Sequence, residues 1–467
     1  MATAKKKKKK ALGALDRSFL AAEGRDVMMH VGGLLEFSPP PGKPLGFYGR
    51  LREEAAEVTE VSPPFDQKLL HPNFLGSPLQ AWVTDKQFDI DFHVRRSGLA
   101  SPGDERELGV LVSRLHGTPL DFHRPPWEAH FIEGLEKGRV ALYVKMHHAL
   151  VDGYTGMRIL QRSMSTSPTD KSTPLFFQSR PREDARPPRE EEGAPLDSLL
   201  RTVRDQVGAA KSVGRAVMSI ARAVRSHDHS LALPLQAPKS SLNQRISRSR
   251  RFATQRIEAA RVKRIATAAG GTVNDVVLAI TGSALRRFLI EQGTLPDAAL
   301  VAMVPVNIRP KDDPGGGNAI GAVLATLATN VSAPKERLER IIESTQRAKS
   351  LLQGMSKTAI MQYSALVLAP MVLSFVPGVA GRVRPAFNVV VSNVPGPESP
   401  LYFRGWKLDE IYPLSIPFHG YGLNITLQSY AGSLNFGFTG CRDTIPHLQR
   451  LAVYSGEVVT ELENALG

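Results

Sequence analysis

The stretch Lys145-Met146-His147-His148-Ala149-Leu150-Val151-Asp152-Gly153 holds the residues of this chain best suited to chemistry. Val140 to Lys145, within the run RVALYVK, is rich in Val, Leu and Tyr and predicts a short strand. Two histidines end that strand, and a turn carrying Asp152-Gly153 follows. A histidine at the end of a strand has its backbone fixed on a rigid element, as a general base must. An unperturbed imidazole has a pKa of about 6.5, so it takes up and returns a proton at neutral pH. A thioester already contains a good leaving group, so acyl transfer from one chiefly needs a base to activate the attacking hydroxyl. Paired histidines alone are more often ordinary surface or core residues. The spacing His-His-x-x-x-Asp-Gly is what makes this pair informative.

Other chemistries find little support. There is no Gly-x-Ser-x-Gly elbow, no P-loop and no His-Glu-x-x-His. Gly315-Gly316-Gly317 lacks dinucleotide-binding spacing and reads as a loop. His227-Asp228-His229 has no Cys or His nearby to complete a metal site, so no metal is expected. The single cysteine, Cys441, has no adjacent base to make it a nucleophile, and it excludes an intramolecular disulfide framework, which fits a reducing compartment. Aromatic residues are 7% of the chain and are not interleaved with basic ones, which argues against a nucleic-acid platform.

The net charge is +14, of which six charges sit in Lys5 to Lys10. The remaining +8 suits phosphate-bearing ligands or anionic membranes. The lysine run reads either as a solvated tail or as a device that steers the protein to a membrane. Ala11 to Asp26 is broken by Asp16, Arg17, Glu23 and Arg25 and does not read as a secretory signal. Ala365 to Gly381 is apolar but contains Pro370 and Pro377 and is marginal in length for a span, so it reads as a buried helix pair. A soluble or peripheral protein is expected.

The elements that must position the histidines are distributed over a chain of 467 residues, long enough for two domains. The proline- and charge-rich stretch Ser179 to Pro195 predicts a linker. Leu196 to Arg225 has apolar residues at helical spacing among arginines and lysines, a basic amphipathic helix that either connects the domains or lies on a membrane. The expected division is a basic tail over 1–14, an N-terminal domain over 15–178, a linker with its helix over 179–240 and a C-terminal domain over 241–467. In the first domain, Val27 to Phe37 predicts a strand and Glu105 to His116 a helix. In the second, a strand at Phe252 to Ile257 precedes a helix from Ala259 to Ala269 that Gly270-Gly271 stops. Thr272 with Asp275 then has the form of a capping box, and strands follow at Leu300 to Asn307, Phe387 to Ser392 and Leu423 to Ser429.

The His-His-x-x-x-Asp-Gly spacing is shared by coenzyme A-dependent acyltransferases and by the condensation domains of peptide synthetases. Further segments narrow the resemblance. Leu15-Asp16, Met29-His30-Val31-Gly32, Pro125-Pro126-Trp127-Glu128, Thr272-Val273-Asn274-Asp275, Val304 to Pro310, Ser392 to Pro397 and Asn435 to Asp443 occur in this order. Together they resemble the bacterial wax ester synthase/diacylglycerol acyltransferase family over nearly the whole chain. Pro126 stands where that family usually has leucine. The resemblance implies an α/β protein of two chloramphenicol-acetyltransferase-like domains, each a mixed sheet with helices, with an active-site tunnel at their interface. It implies that His148 is the general base, that His147 supports it, and that Asp152, beside Gly153, is structural and held by Arg309. Asn274, Asp275, Trp127, Asn393 and Pro395 would bind substrate or support the site. Asn274 also reads as an ordinary helix-start residue, and the turn at Asn393 and Pro395 as architecture. The implied reaction moves a long-chain acyl group from acyl-coenzyme A, as co-substrate, to a fatty alcohol or diacylglycerol, with no bound cofactor and no acyl-enzyme. A cytoplasmic protein docked on the inner face of the membrane or on lipid inclusions is expected. The alternatives are a condensation-type enzyme with a carrier-protein donor and a non-catalytic lipid-surface protein.

Overall fold

The computed structural model describes residues 10–42, 47–58, 61–178, 236–307, 320–353, 355, 357–372, 382 and 384–467. The chain forms two compact units. One comprises residues 1–182, 248–252 and 396–416, and the other 183–247, 253–395 and 417–467.

The first unit begins with β1 (Lys10–Ala11), α1 (Ala14–Ala22), β2 (His30–Ser38), α2 (Phe47–Ala56), β3 (Gln67–Leu69), β4 (Ala81–Thr84), α3 (Ile90–His93) and β5 (Val94–Gly98). It continues with α4 (Glu105–His116), β6 (Trp127–Glu133), β7 (Val140–His147) and α5 (Gly153–Arg162). Two strands from far down the chain, β12 (Tyr402–Phe403) and β13 (Trp406–Leu414), complete a six-stranded sheet of order β12-β13-β2-β7-β6-β5. Its pairings are antiparallel except β5 with β6. Residues 396–416 fall in the predicted C-terminal domain but run in the sheet of the first unit.

Every residue of β7 is buried, which explains its nearly continuous apolar sequence. The helix predicted at Glu105 to His116 forms over those residues as α4. Asp104 caps it by accepting from the Glu107 N–H, and Arg114 lies in its last turn, where a cation suits the helix dipole. Its Leu108, Leu111 and Val112 pack with Leu34, Ala141 and Tyr143 of the sheet. A Cβ at Gly32 would lie 2.8 Å from the Val144 carbonyl oxygen and 3.3 Å from the Tyr143 ring, so glycine lets β2 approach β7 here. A small sheet of order β1-β4-β3 lies in the same unit.

The second unit holds most of β8 (Arg250–Glu258), then α6 (Ala259–Ala268), α7 (Val273–Glu291), β9 (Val301–Asn307), β10 (Ile320–Thr326), α8 (Pro334–Leu352) and α9 (Lys357–Val372). It continues with β11 (Val389–Val394), β14 (Leu423–Tyr430), β15 (Ser433–Cys441) and α10 (Gln449–Leu466). Its sheet has the order β10-β9-β11-β14-β15-β8, with β11 parallel to β9 and to β14. Gly270, at φ +65, ends α6 as predicted, and Thr272 and Asp275 cap α7 reciprocally. α7 is buried from Asp275 through Leu285, so its apolar run reflects a core position. Among the described residues no single helix is long and apolar enough to cross a membrane. The predicted linker and amphipathic helix over 179–225 lie outside the described residues, as do His227 to His229, Gly315 to Gly317, most of the lysine run and the apolar stretch beyond Val372.

Candidate functional site

His148 follows β7 directly. Its N–H donates to the Met29 carbonyl at 2.8 Å, just before β2, so both flanking strand ends fix its backbone. The turn after it closes through Leu150 and Val151 N–H groups donating to the His147 carbonyl at 2.9 and 3.2 Å. Ala149 packs with Leu20, Leu69 and Trp82, so α1 and the small sheet support the turn from one side. Asp152 caps α5, its carboxylate accepting from the Thr155 N–H at 2.8 Å and the Thr155 hydroxyl at 2.9 Å, and Gly153 is the first residue of that helix.

The His148 ring is half-buried and stacks on Phe19, with centroids 4.1 Å apart. Its Nδ1 is sealed from solvent and has no hydrogen-bond partner, whereas Nε2 is not sealed. Burial pushes its pKa down to about 4. Asp152 opposes that shift and His147 adds to it. The ring is therefore neutral at physiological pH. The Nε2 lone pair is free to take a proton if the ring proton sits on Nδ1.

His147 has a different task. Its Nδ1 accepts from the Ala149 N–H at 3.1 Å, which places its ring proton on Nε2, 3.5 Å from a Glu23 carboxylate oxygen. Its backbone N–H donates to the Pro126 carbonyl at 2.9 Å. That bond uses only backbone, and proline retains its carbonyl. The adjoining Trp127 is fully buried, donates from Nε1 to the Phe65 carbonyl at 2.8 Å and stacks on His93, so it anchors β6 from within the core. Glu23 lay unnoticed in the sequence as one of the charges that break an apolar run. It is the residue after α1, and its carboxylate accepts from the Met29 N–H at 2.5 Å. One carboxylate thus bonds the residue that holds the His148 backbone and lies beside the His147 ring. Only the acidic residue's closeness to Met29-His30 along the chain could have hinted at this.

Behind the histidines lies a buried polar layer. His30, opposite His147 in the sheet, contacts the His116 carbonyl through Nε2 at 2.8 Å, and His116 Nδ1 contacts the Tyr143 hydroxyl at 2.9 Å. Lys145 donates to the Leu115 and Thr118 carbonyls at the end of α4 and lies 3.4 Å from Glu128. Burial raises the pKa of Glu128, but the neighbouring His130, Lys145 and Arg95 outweigh it and hold the carboxyl near about 2. Burial lowers the pKa values of His30 and His130, and brings His93 to about 4 and His116 to about 3.

Asn274, Asp275, Asn393 and Pro395 belong to the second unit. Asp275 is a structural group. Its carboxylate accepts from the Thr272 N–H at 2.7 Å and from the Thr345 hydroxyl at 2.6 Å, tying α7 to α8. Asn274 is half-buried in the first turn of α7, and Asn393 and Pro395 are exposed at the end of β11. Arg309 lies outside the described residues. Among the described residues no group of three or more His, Cys, Asp or Glu side chains could hold a metal ion.

Residues 12–277 match the family model of the wax ester synthase/diacylglycerol acyltransferase catalytic domain, and residues 316–463 match that of the C-terminal domain of the same enzymes. A Mycobacterium tuberculosis protein assigned by name to the diacylglycerol O-acyltransferases is 49% identical, over 98% of this chain and 97% of its own. The O-acyltransferase WSD of Acinetobacter baylyi is 39% identical, over 97% of both chains. The solved wax ester synthase/diacylglycerol acyltransferase of Marinobacter aquaeolei superposes with a TM-score of 0.76 at 36% identity, covering 97% of this chain and 99% of that one. A condensation domain of the calcium-dependent antibiotic synthetase shares the fold, with a TM-score of 0.60 at 18% identity, over 98% of this chain and 96% of that one.

Two predictions follow from the site's geometry. Glu23→Ala leaves the Met29 N–H without its part-buried acceptor, which costs about 1–3 kcal/mol. Urea denaturation should show that loss, with Glu23→Gln recovering part of it; equal midpoints for Glu23→Ala and wild type would remove the proposed tie. The buried histidines make stability pH-dependent. Their folded pKa values lie below the unfolded value of about 6.5, so the unfolded chain binds more protons as pH falls from there towards about 4, and stability drops across that window. His93 alone accounts for about 2 kcal/mol at pH 5 relative to neutral pH. Urea midpoints at pH 7.5 and pH 5 that coincide would contradict the burial of neutral imidazoles.

Proposed function

The chain belongs to the wax ester synthase/diacylglycerol acyltransferase family, and from that membership we propose that it transfers a long-chain fatty acyl group from acyl-coenzyme A to a fatty alcohol or to the free hydroxyl of diacylglycerol, with His148 as general base. The observation that carries the role of His148 is its ring: neutral, fixed at the end of β7, with Nε2 open and Nδ1 sealed.

Both substrates are bound together in the proposed reaction. His148 Nε2 takes the hydroxyl proton as the alcohol oxygen attacks the thioester carbonyl. The tetrahedral centre collapses, the carbon–sulfur bond breaks, and the imidazolium returns its proton to the departing thiolate. The products are an ester and free coenzyme A, with no acyl-enzyme and no metal. An imidazolium in this site has no acceptor behind Nδ1, so it is short-lived and gives its proton up readily. His147, with Glu23 and Pro126, holds the strand end from which His148 projects. Asp152 holds the turn, and we propose Arg309 as its second partner. A carrier-protein donor has less support, because the strong relatives bear O-acyltransferase names and the condensation domain is similar in fold alone.

Insoluble products and membrane-borne acceptors require contact with lipid, and the proposed location is the cytoplasmic face of the membrane or the surface of lipid inclusions. The net charge of +14, the lysine run and the basic helical pattern of Leu196 to Arg225 support this reading.

A positioned base contributes roughly 10²–10⁴ in rate. His148→Ala should therefore lose nearly all transfer from palmitoyl-coenzyme A to hexadecanol or to diacylglycerol while it keeps the wild-type fold by circular dichroism. A folded variant that retains most of the activity would rule out His148 as the base and favour a non-catalytic lipid-surface protein. Each basic residue near an anionic surface contributes about 1 kcal/mol, screened by salt. The protein should sediment with phosphatidylserine-containing vesicles at low salt and be released as salt rises, and deletion of Lys5 to Lys10 should weaken the binding. No sedimentation at any salt concentration would refute membrane docking.

A further inference from the structure

The backbone of His148 is tied to the Met29 carbonyl at 2.8 Å, but its Nδ1 has no hydrogen-bond partner that would fix the plane of the imidazole. What lies against that plane is Phe19, with ring centroids 4.1 Å apart and the two planes 26° from parallel. Both residues belong to the first unit.

The placement of Phe19 is built into α1. Phe19 precedes Glu23 by four residues, so the two share one side of the helix's last turn, where the Glu23 N–H donates to the Phe19 carbonyl at 3.1 Å. Glu23 accepts from the Met29 N–H at 2.5 Å, and earlier in the helix Arg17 donates to the Pro78 carbonyl at 2.9 Å. The helix is thus held on both sides of Phe19. Leu20, at 1% exposure, packs α1 into the cluster that contains Ala149 and Trp82. Phe19 is half-buried beside that cluster and gives its face to the imidazole.

In the acyl-transfer reading, on which this inference rests, His148 takes the alcohol proton and is an imidazolium until the thiolate receives that proton. A positive ring in a buried site calls for a counter-group. Asp152 favours the charged form, but its two carboxylate oxygens are engaged by the Thr155 N–H and hydroxyl, and His147 disfavours it. An aromatic face carries negative charge density and attracts a cation within about 6 Å of the ring centre. We propose that Phe19 is a positioning residue of the reaction: its face holds the plane of the His148 ring and stabilises the imidazolium that forms as the alcohol is deprotonated. The attraction grows as the charge develops, so it is stronger in the transition state than in the ground state. It therefore acts on the chemical step and leaves substrate affinity alone.

The test replaces Phe19 by phenylalanines carrying one, two or three ring fluorines, which keep the shape nearly constant while each fluorine draws electron density from the face. Transfer from palmitoyl-coenzyme A is measured in a single turnover at saturating hexadecanol, and the KM values for both substrates in the steady state. The single-turnover rate should fall with every added fluorine, to about tenfold at three, with both KM values within about twofold and an unchanged melting temperature. Phe19→Leu, which removes the face altogether, should be at least as slow. If that variant does not fold, the fluorinated series alone carries the test. A rate that ignores fluorination overturns the proposal even where Phe19→Leu is slow, because lost packing alone gives that pattern. KM values that rise at a constant single-turnover rate also overturn it, since Phe19 would then meet substrate and not the base. A wild-type protein that transfers nothing defeats the reading of function instead, so the two failures are distinguishable.

Discussion

The carbonyl of Met29 is the point on which the site depends. It accepts the backbone N–H of His148, and its own residue's N–H is gripped by Glu23. A general base must be placed within a fraction of an ångström, and side-chain packing alone is a soft way to achieve that. Here the tie is backbone to backbone, between the residue before β2 and the residue after β7, and the ladder between those strands carries it into the sheet. The buried carboxylate of Glu23 couples that tie to the ring of His147. The two adjacent histidines differ in that the Nδ1 of His147 is tied to the turn backbone while that of His148 has no partner.

The polar layer behind them explains why β7 changes character at Lys145. Val140 to Val144 build core, and Lys145 then places a buried ammonium against the last carbonyls of α4 and beside Glu128. Cations suit that end of a helix, and the ion pair offsets part of the desolvation. The arrangement fixes where α4 ends. It also fixes His116, the last residue of α4, which contacts both Tyr143 and the Ser415 carbonyl.

What the sequence revealed was local. The histidine spacing, the helix at Glu105 to His116, the glycine stop at Gly270 and the capping box at Thr272 each lie within a few residues and obey one rule of backbone geometry. The family resemblance, carried by separated motifs in order, extended that reading to the whole chain. What stayed hidden was long-range. Glu23 reads as an interruption until the turn between α1 and β2 brings it to Met29. Trp127 was expected beside substrate or in support of the site; its ring is enclosed by Phe65, His93 and Phe177. The return of residues 396–416 to the first unit was equally invisible, since strand pairing across nearly 400 positions leaves no local mark.

That return has a consequence for biosynthesis. β13 closes the open side of β2, from Lys407 against Ser38 to Leu414 against Gly32. Until the ribosome has delivered those residues, β2 is an edge strand with unpaired amides and carbonyls and an apolar sequence, the kind of surface that recruits other chains. The nascent protein carries that edge through the synthesis of most of its second unit. At a typical elongation rate of about 5–20 residues per second, the exposure lasts tens of seconds. The strand whose neighbouring end holds the His148 backbone is thus among the last parts of its sheet to be secured. A chain released before Leu414 lacks the partner that protects β2, however much of the His147-His148 segment it contains.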